Sequence, residues 1–530
     1  MSSSAKDLAK QGGILVAASF IVRFIGFFYR IPLTNLWGDA GNDMYAMAYQ
    51  IYNFFYIVSA FGVPTTLSKM LGERIALKEY ANARQVFKVA LVFVSSVGLI
   101  CALILWFGNS YIATKIFNLP QAALAMRAQA PAVLIVSVMS VFRGLFQGMN
   151  NMKPTAISQT IEQIVDALVA VTLAFALMEP LGINWAVAGG ISGTAAGGLA
   201  ALGFMIICFF AYRKRSKIFC APRQEITERN SDILRQMISI IVPVVLASAI
   251  FSIKSMIDSS MFIKLMSWKG YEQEAISNMR GIYQGKFIVL INLPISIGNA
   301  MAAASVPSIA HSIAIRDRAE IQSKVNMLIK TVLLISLPAA VGLTVMGKPL
   351  LRLIFPNAHQ GGELFWAGSI AVVFYCIIHV STGILQGIGK LKIPLRNAII
   401  GVLVTCLTNV ISIMVLDLKI YSLVLNIVLF SAVLAFLNLR SVLKFCHVRI
   451  SFKKAVLKPL ISSLIMGIIC FIFYVLPFTL TGSNTISCII SVGIGALTYF
   501  TVMVNIGGLT KRDMSTLPVG GLLRKLKIFR

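Results

Sequence analysis

The chain has 530 residues, 58% of them hydrophobic and 12% charged, with a mean hydropathy of +0.84 and a formal net charge of +28. A soluble domain carries about 25% charged residues, so this much apolar surface does not fit inside one water-soluble core, and the chain reads as an integral membrane protein. The excess of positive charge is that of basic loops facing an anionic inner leaflet, not a nucleic-acid footprint.

A crossing needs about 20 apolar residues. On that requirement the chain predicts fourteen membrane helices, at about 12–29, 44–63, 86–107, 124–147, 156–177, 183–210, 237–262, 287–310, 325–346, 364–388, 398–416, 421–438, 455–476 and 486–506. The eleventh and twelfth are short and are joined by the tight hairpin Asp417-Leu-Lys-Ile. An all-helical reading follows because lipid-exposed backbone must pair within its own segment and no barrel-like alternation is present. The first apolar run is too short for a cleavable leader, so the first span is expected to be retained. With the N-terminus inside, the inner segments hold 33 lysines and arginines and the outer loops 7. That asymmetry predicts a multi-pass membrane protein with both termini in the cytoplasm.

Eight cysteines carry no CxxC pair, and His311, His359, His379 and His447 show no metal spacing. No metal and no organic cofactor is expected. The polar stretch from Arg213-Lys-Arg-Ser-Lys217 to Arg235 reads as a linker between lobes. The expected division is 1–212 for an N-terminal lobe of helices one to six, 213–236 for the basic linker and 237–440 for a C-terminal lobe of helices seven to twelve. Residues 441–510 hold two added helices, and 511–530 a basic tail suited to the anionic surface.

A signature recurs in the two halves, about 239 residues apart: Gly144-Leu-Phe-Gln147-Gly148 then Lys153, and Gly383-Ile-Leu-Gln386-Gly387 then Lys392. Val63-Pro64 and Val306-Pro307 follow roughly the same offset. Membrane chains that repeat a multi-helix module are commonly transporters.

Charges inside spans are costly and therefore informative. Span one carries Arg23, with Arg30 at its outer end; span five carries Glu162 and Asp166 on one face; span seven carries Lys254 and Asp258, four residues apart. Span eight begins with Arg280 and Lys286 and contains Asn292 and Asn299. Lys254 with Asp258 also reads as a self-neutralising pair, and Glu162 with Asp166 as partners of a cation such as Arg143. Cations that outnumber acids on the first, seventh and eighth spans favour an anionic ligand, and the arginine fork suits a diphosphate. Arg23, Arg30, Lys254 and Lys286 are the candidate diphosphate ligands. Glu162, Asp166, Asp258, Asn299 and Asn409 are the candidate polar or ion-coupling residues.

Three stretches carry a resemblance: Arg23-Phe-Ile-Gly-Phe-Phe-Tyr-Arg30 with Met44-Tyr-Ala-Met-Ala-Tyr-Gln-Ile-Tyr52, Leu67-Ser-Lys-Met-Leu-Gly-Glu73, and Arg143-Gly-Leu-Phe-Gln-Gly-Met-Asn-Asn-Met-Lys-Pro-Thr155. They resemble the stage V sporulation protein B branch of the polysaccharide exporters. That branch belongs with the lipid II flippase family in the multidrug/oligosaccharidyl-lipid/polysaccharide superfamily. The resemblance implies two six-helix lobes forming a V around a cationic cavity, with two further helices making a groove for a polyprenyl tail. It implies that Arg23, Arg30 and Lys286 meet the diphosphate. In some members a sodium ion sits on an acid and an Asn matched here by Asp258 and Asn409, but Ile413 stands where a second acid belongs.

The expected function is the flipping of a polyprenyl-diphosphate-linked oligosaccharide, foremost the peptidoglycan precursor lipid II, from inner to outer leaflet, without bond breakage. The expected partners are the lipid-linked oligosaccharide, membrane lipids and cell-wall synthesis proteins, with the chain as a monomer; sodium or proton coupling stays open. Two alternatives stand beside this. An exporter of multidrug type would favour an acidic cavity, and a flippase for another surface or spore polysaccharide would share the same site. A membrane glycosyltransferase would place acids or histidines on a sizeable outer loop; the longest one read from sequence, 263–286, offers only Glu272 and Glu274.

Overall fold

A computed structural model describes the chain except residues 1–2, 214–216, 221–226, 315–317, 357–358, 391, 449–452 and 509–530. The basic run at 214–216 and the tail at 511–530 lie outside the described residues. The described residues form helices joined by short turns, with no strand among them.

By internal contacts the chain divides into Met1–Lys264 and Leu265–Arg530. The first unit holds α1 Ser3–Tyr56, α2 Val63–Ala76, α3 Tyr80–Tyr111, α4 Ala123–Gly148, α5 Lys153–Leu181, α6 Ile183–Arg213, α7 Lys217–Cys220 and most of α8 Asn230–Trp268. Within it α5 packs most extensively on α6, and α4 on α6 and α3. The second unit holds α9 Gln273–Ile282, α10 Ile288–Ala314, α11 Arg318–Ile354, α12 Leu364–Gly368, α13 Ala371–Gly387, α14 Lys392–Val410, α15 Ile420–Cys446, α16 Lys458–Thr481 and α17 Asn484–Asn505. There α16 packs on α17, α10 on α13 and α14 on α15.

Among the described residues, 13 helical segments are long and apolar enough to cross a membrane. The difference from fourteen lies at the first, Ile21–Ala76, which is 56 residues long. In a straight helix, residues 16 apart are separated by about 24 Å. Yet the hydroxyls of Tyr29 and Tyr45 are 3.1 Å apart, so α1 folds back on itself. The break is Gly38, at φ 63° and ψ −157°, a backbone that a side chain strongly disfavours. Asn42 holds the turn by accepting hydrogen bonds from Thr34 Oγ1 at 3.1 Å and Trp37 Nε1 at 3.0 Å. The first segment is therefore two antiparallel crossings.

One sequence expectation is corrected. The stretch 263–286 is not a long outer loop: α8 runs to Trp268 and α9 begins at Gln273, so four residues lie between them. The eleventh and twelfth spans are also longer than read, reaching Lys392–Val415 and Ile420–Cys446.

The repeated signature has a common structural content. A Cβ on Gly144 would stand 2.9 Å from Leu67 Cβ and 3.2 Å from Pro64 Cα, and one on Gly148 2.9 Å from Leu71 Cβ. In the other unit, a Cβ on Gly383 would stand 2.7 Å from the Ala302 carbonyl oxygen, and one on Gly387 3.0 Å from that of Val306. The glycines let α4 and α13 close on α2 and α10, at the segments that carry Val63-Pro64 and Val306-Pro307. Each copy ends alike, with Asn150 and Gly389 at positive φ. Each turn is closed by the next amide reaching back, Asn151 to Phe146 and Lys390 to Leu385, both at 2.9 Å.

Candidate functional site

The fold-back of α1 brings Arg30 against residues that follow it by 15 and 19 positions. Its guanidinium lies over the ring of Tyr45 at 5.2 Å and that of Tyr49 at 5.7 Å. Such contacts stabilise a cation while leaving the guanidinium edge able to donate. Among the described residues no carboxylate comes within 4.0 Å of Arg30. Arg23 stands two turns earlier on the same arm and is exposed; seven residues at 1.5 Å each put it about 10 Å along the same face.

The second arm of α1 carries a file of rings. Tyr45, Tyr49, Tyr52 and Tyr56 repeat at helical spacing, with successive centroids 6.2, 6.0 and 6.2 Å apart. Tyr45 and Tyr52 are buried, whereas Tyr49 keeps 40% of its surface open. Gln50 and Asn53 on the same arm donate to Ser255 and Ser252 of α8, the latter at 3.0 Å.

Helix α5 supplies the acids. Glu162 accepts from Arg143 of α4 at 2.7 Å, and the same guanidinium donates through Nε to Ser158 Oγ at 3.1 Å. Asp166, one turn on, faces Glu162, Arg30 and the Tyr29 hydroxyl. Tyr52 and Tyr56 face the Arg143–Glu162 pair. What fixes α5 at this depth is a stripe of glycines on α6. A Cβ on Gly193 would stand 2.6 Å from the Asp166 carbonyl oxygen, and one on Gly197 2.3 Å from that of Glu162. The two backbones are therefore in contact, the close approach that small residues at four-residue spacing permit in membranes.

On α8, Lys254 Nζ lies 2.5 Å from Asp258, and both side chains are largely buried. A carboxylate already neutralised by an ammonium group is a poor ligand for a second cation. Ile413, fully buried in a wide helical turn after α14, supplies no charge where a second acid would stand. The residues present therefore do not fit the sodium site that the resemblance offered. Asp258 belongs to the first unit and Asn409, also buried, to the second. No group of three or more His, Cys, Asp or Glu able to hold a metal occurs among the described residues.

Lys286 belongs to the second unit. It is fully buried in the turn Tyr283–Phe287 and donates to the Gln360 carbonyl at 3.5 Å. Asn299 is half-buried on α10.

The chain as a whole is similar to known proteins. A sequence profile described as polysaccharide biosynthesis protein matches residues 8–313, more than half of the chain, and a MatE profile matches 243–411. The chain belongs to the polysaccharide biosynthesis protein family. It is 26% identical over 415 residues to the lipid II flippase MurJ of Bacillus subtilis (strain 168), covering 75% of this chain and 76% of that one. Stage V sporulation protein B of the same organism is 26% identical over 395 residues, 74% of this chain and 75% of the other. Among solved structures, lipid II flippase MurJ in an inward closed conformation aligns with a TM-score of 0.64 at 16% identity, over 92% of this chain and 98% of that one. The protein is thus a multi-pass membrane protein of a transporter and flippase superfamily.

The structure places Arg23 and Arg30 on one arm of α1 and Glu162 and Asp166 on α5, and adds the tyrosines and the α6 glycines, which sequence reasoning did not single out. The tyrosine spacing of four, three and four was visible in the sequence. So was the regular Gly189, Gly193, Gly197 spacing, which marks a face of α6 made for close helix approach.

Proposed function

We propose that the protein flips a polyprenyl-diphosphate-linked oligosaccharide across the membrane, with the peptidoglycan precursor lipid II as its substrate. The observation that carries this reading is Arg30. Its guanidinium lies over two tyrosine faces with no carboxylate within 4.0 Å among the described residues, and it shares a helix face with exposed Arg23. Glu162 and Asp258 each carry a cation of their own, so two of the acids that an organic-cation exporter would use are neutralised. An unpaired guanidinium offers the planar fork that a diphosphate accepts. The half-open Tyr49 ring beside it gives an apolar face with a polar edge, the surface that sugars take. A relative named as a lipid II flippase supports the same substrate class.

In this reading the head group passes along the Arg23, Arg30 and Tyr49 face while the polyprenyl tail stays in lipid, and no bond is broken. Depleting the protein in its host and identifying the lipid-linked precursor that accumulates tests it. Accumulation of lipid II on the inner leaflet is the expected result. Unchanged lipid II with accumulation of a different lipid-linked glycan would replace the substrate, and no accumulated precursor of any kind would remove the flippase reading.

A further inference from the structure

Helices α14 and α15 form an antiparallel hairpin in the second unit, and at one end it opens a cavity of about 460 Å³. Three cations line that cavity: Arg396 from α14, and Arg440 and Lys444 from α15. Asn397 in its lining donates to Asn438 at 2.9 Å, and Asn438 to Thr382 at 3.2 Å. No acid lines the cavity, and among the described residues no carboxylate lies within 4.0 Å of any of the three. Arg440 and Lys444 are one turn apart, a like-charge spacing that is destabilising unless an anion sits between them. Lys390 adds a fourth charge at the rim, 5.4 Å from the ring of Phe445.

The surface below the cavity says which anion. On α14, Arg396 stands at the head of an exposed apolar stripe, Ile400, Leu403 and Leu407, at offsets of four, seven and eleven residues. On α15, exposed Leu429 and Phe436 lie eleven and four residues before Arg440. Both stripes run from the cavity along the hairpin and end in an arginine. A free phosphate ion has no use for them, whereas acyl chains do. The basic end of the hairpin carries Lys390, Lys392, Arg396, Arg440 and Lys444, and the other end only Lys419 beside Asp417. The positive-inside asymmetry puts the cavity at the inner leaflet, where anionic lipids concentrate and basic pockets between helices hold their head groups.

We propose that this cavity is a binding site for an anionic glycerophospholipid of the inner leaflet, with the phosphodiester between Arg396, Arg440 and Lys444 and the acyl chains along the two apolar stripes. The site is independent of the diphosphate face in the first unit. The test uses the full-length protein in detergent, incubated with phosphatidylglycerol or with phosphatidylcholine of the same acyl chains, and native mass spectrometry of the retained lipid. Phosphatidylglycerol is retained and phosphatidylcholine is not. The triple variant R396Q/R440Q/K444Q loses about tenfold or more of that retention, and Lys444→Arg alone keeps it. The charge-matched variant K69Q/K88Q/K153Q, in the first unit, retains lipid like the parent.

Equal retention by the R396Q/R440Q/K444Q variant, or equal retention of the two lipids, overturns the proposal. So does loss in the charge-matched variant, which would mean general attraction to a basic protein. Displacement of the lipid by millimolar inorganic phosphate would reduce the cavity to an anion site. Displacement by a polyprenyl diphosphate at equal concentration would make it a loading point for the transported substrate instead.

Discussion

Substituting Gly197 with alanine tests whether the contact between α5 and α6 positions the acids. The added Cβ would stand 2.3 Å from the Glu162 carbonyl oxygen and 3.0 Å from the Asp166 amide nitrogen. Both obstacles are backbone, so no rotamer change relieves them. Ordinary contact begins near 3.4 Å, so the helices must part by 3.4 − 2.3, about 1.1 Å. Overpacking of this kind costs about 1–3 kcal/mol. A displacement of about 1 Å in a positioned group costs activity on the order of 100-fold. Gly203, six residues further along α6, has open space where its Cβ would be. There alanine gains about 0.5–1 kcal/mol by helix propensity. Thermal unfolding in detergent, combined with complementation at matched protein levels, separates the two. Gly197→Ala lowers the midpoint and impairs function, while Gly203→Ala raises the midpoint and leaves function intact. A Gly197→Ala protein as stable and active as the parent would refute the reasoning, as would equal damage from Gly203→Ala.

Further predictions concern the Arg74–Glu228 pair, the Lys269–Asp417 contact and the topology. Arg74 holds Glu228 at 2.6 Å and Gln236 at 2.9 Å, so Arg74→Met costs about 1–3 kcal/mol, less than a fully buried pair because Glu228 stays partly solvated. Limited proteolysis reads it as faster cleavage between α6 and α8, and an unchanged rate contradicts it. Asp417 is held below the usual carboxylate range chiefly by its hydrogen bond from Lys269, then by that from Tyr271. A depressed carboxylate stabilises the fold above its unfolded value, about 4, and loses that contribution as pH falls through the folded one. The difference in unfolding temperature between the parent and Asp417→Asn is thus constant above about pH 5 and shrinks on further acidification; a difference that stays the same or grows as the pH is lowered from about 5 contradicts this. With exposed Cys220 replaced by serine, a cysteine at Ser483 reacts with an impermeant thiol reagent in intact cells and one at Asn151 only after permeabilisation. The reverse labelling overturns the orientation with both termini inside.

The crossings were legible because an apolar run of membrane length has few other uses. The Trp37-Gly38-Asp39 turn was visible as an interruption between two runs. What it does, setting Tyr45 and Tyr49 under Arg30, depends on the two arms being antiparallel, and a linear reading sees only tyrosines at core-like spacing. The Arg143–Glu162 pair was one option among several, because partners 19 residues apart on adjoining helices meet only when α4 and α5 reverse at Asn150. Lys254 with Asp258 was legible as a pair, being one turn apart on one helix. The repeated Gly-x-x-Gln-Gly signature marks the same local structure at two places in the chain. Its physical content is the close approach of α4 to α2 and of α13 to α10, and the carbonyls and side chains that demand glycine there are far away in sequence. The α6 stripe was lost for a similar reason: in a helix rich in glycine and alanine, only the neighbour shows which glycines are in contact.

The most direct test of the flippase account is reconstitution of the full-length protein into liposomes carrying fluorescent lipid II. The fraction of lipid that becomes accessible to an external, impermeant reagent is measured for the parent and for Arg30→Ala and Arg30→Lys. The account predicts that lipid II equilibrates between leaflets with the parent protein, not with Arg30→Ala, and partly with Arg30→Lys, which keeps the charge but lacks the paired donors. Lipid II flipping by Arg30→Ala at the parent's rate, with equal protein incorporation, would contradict it.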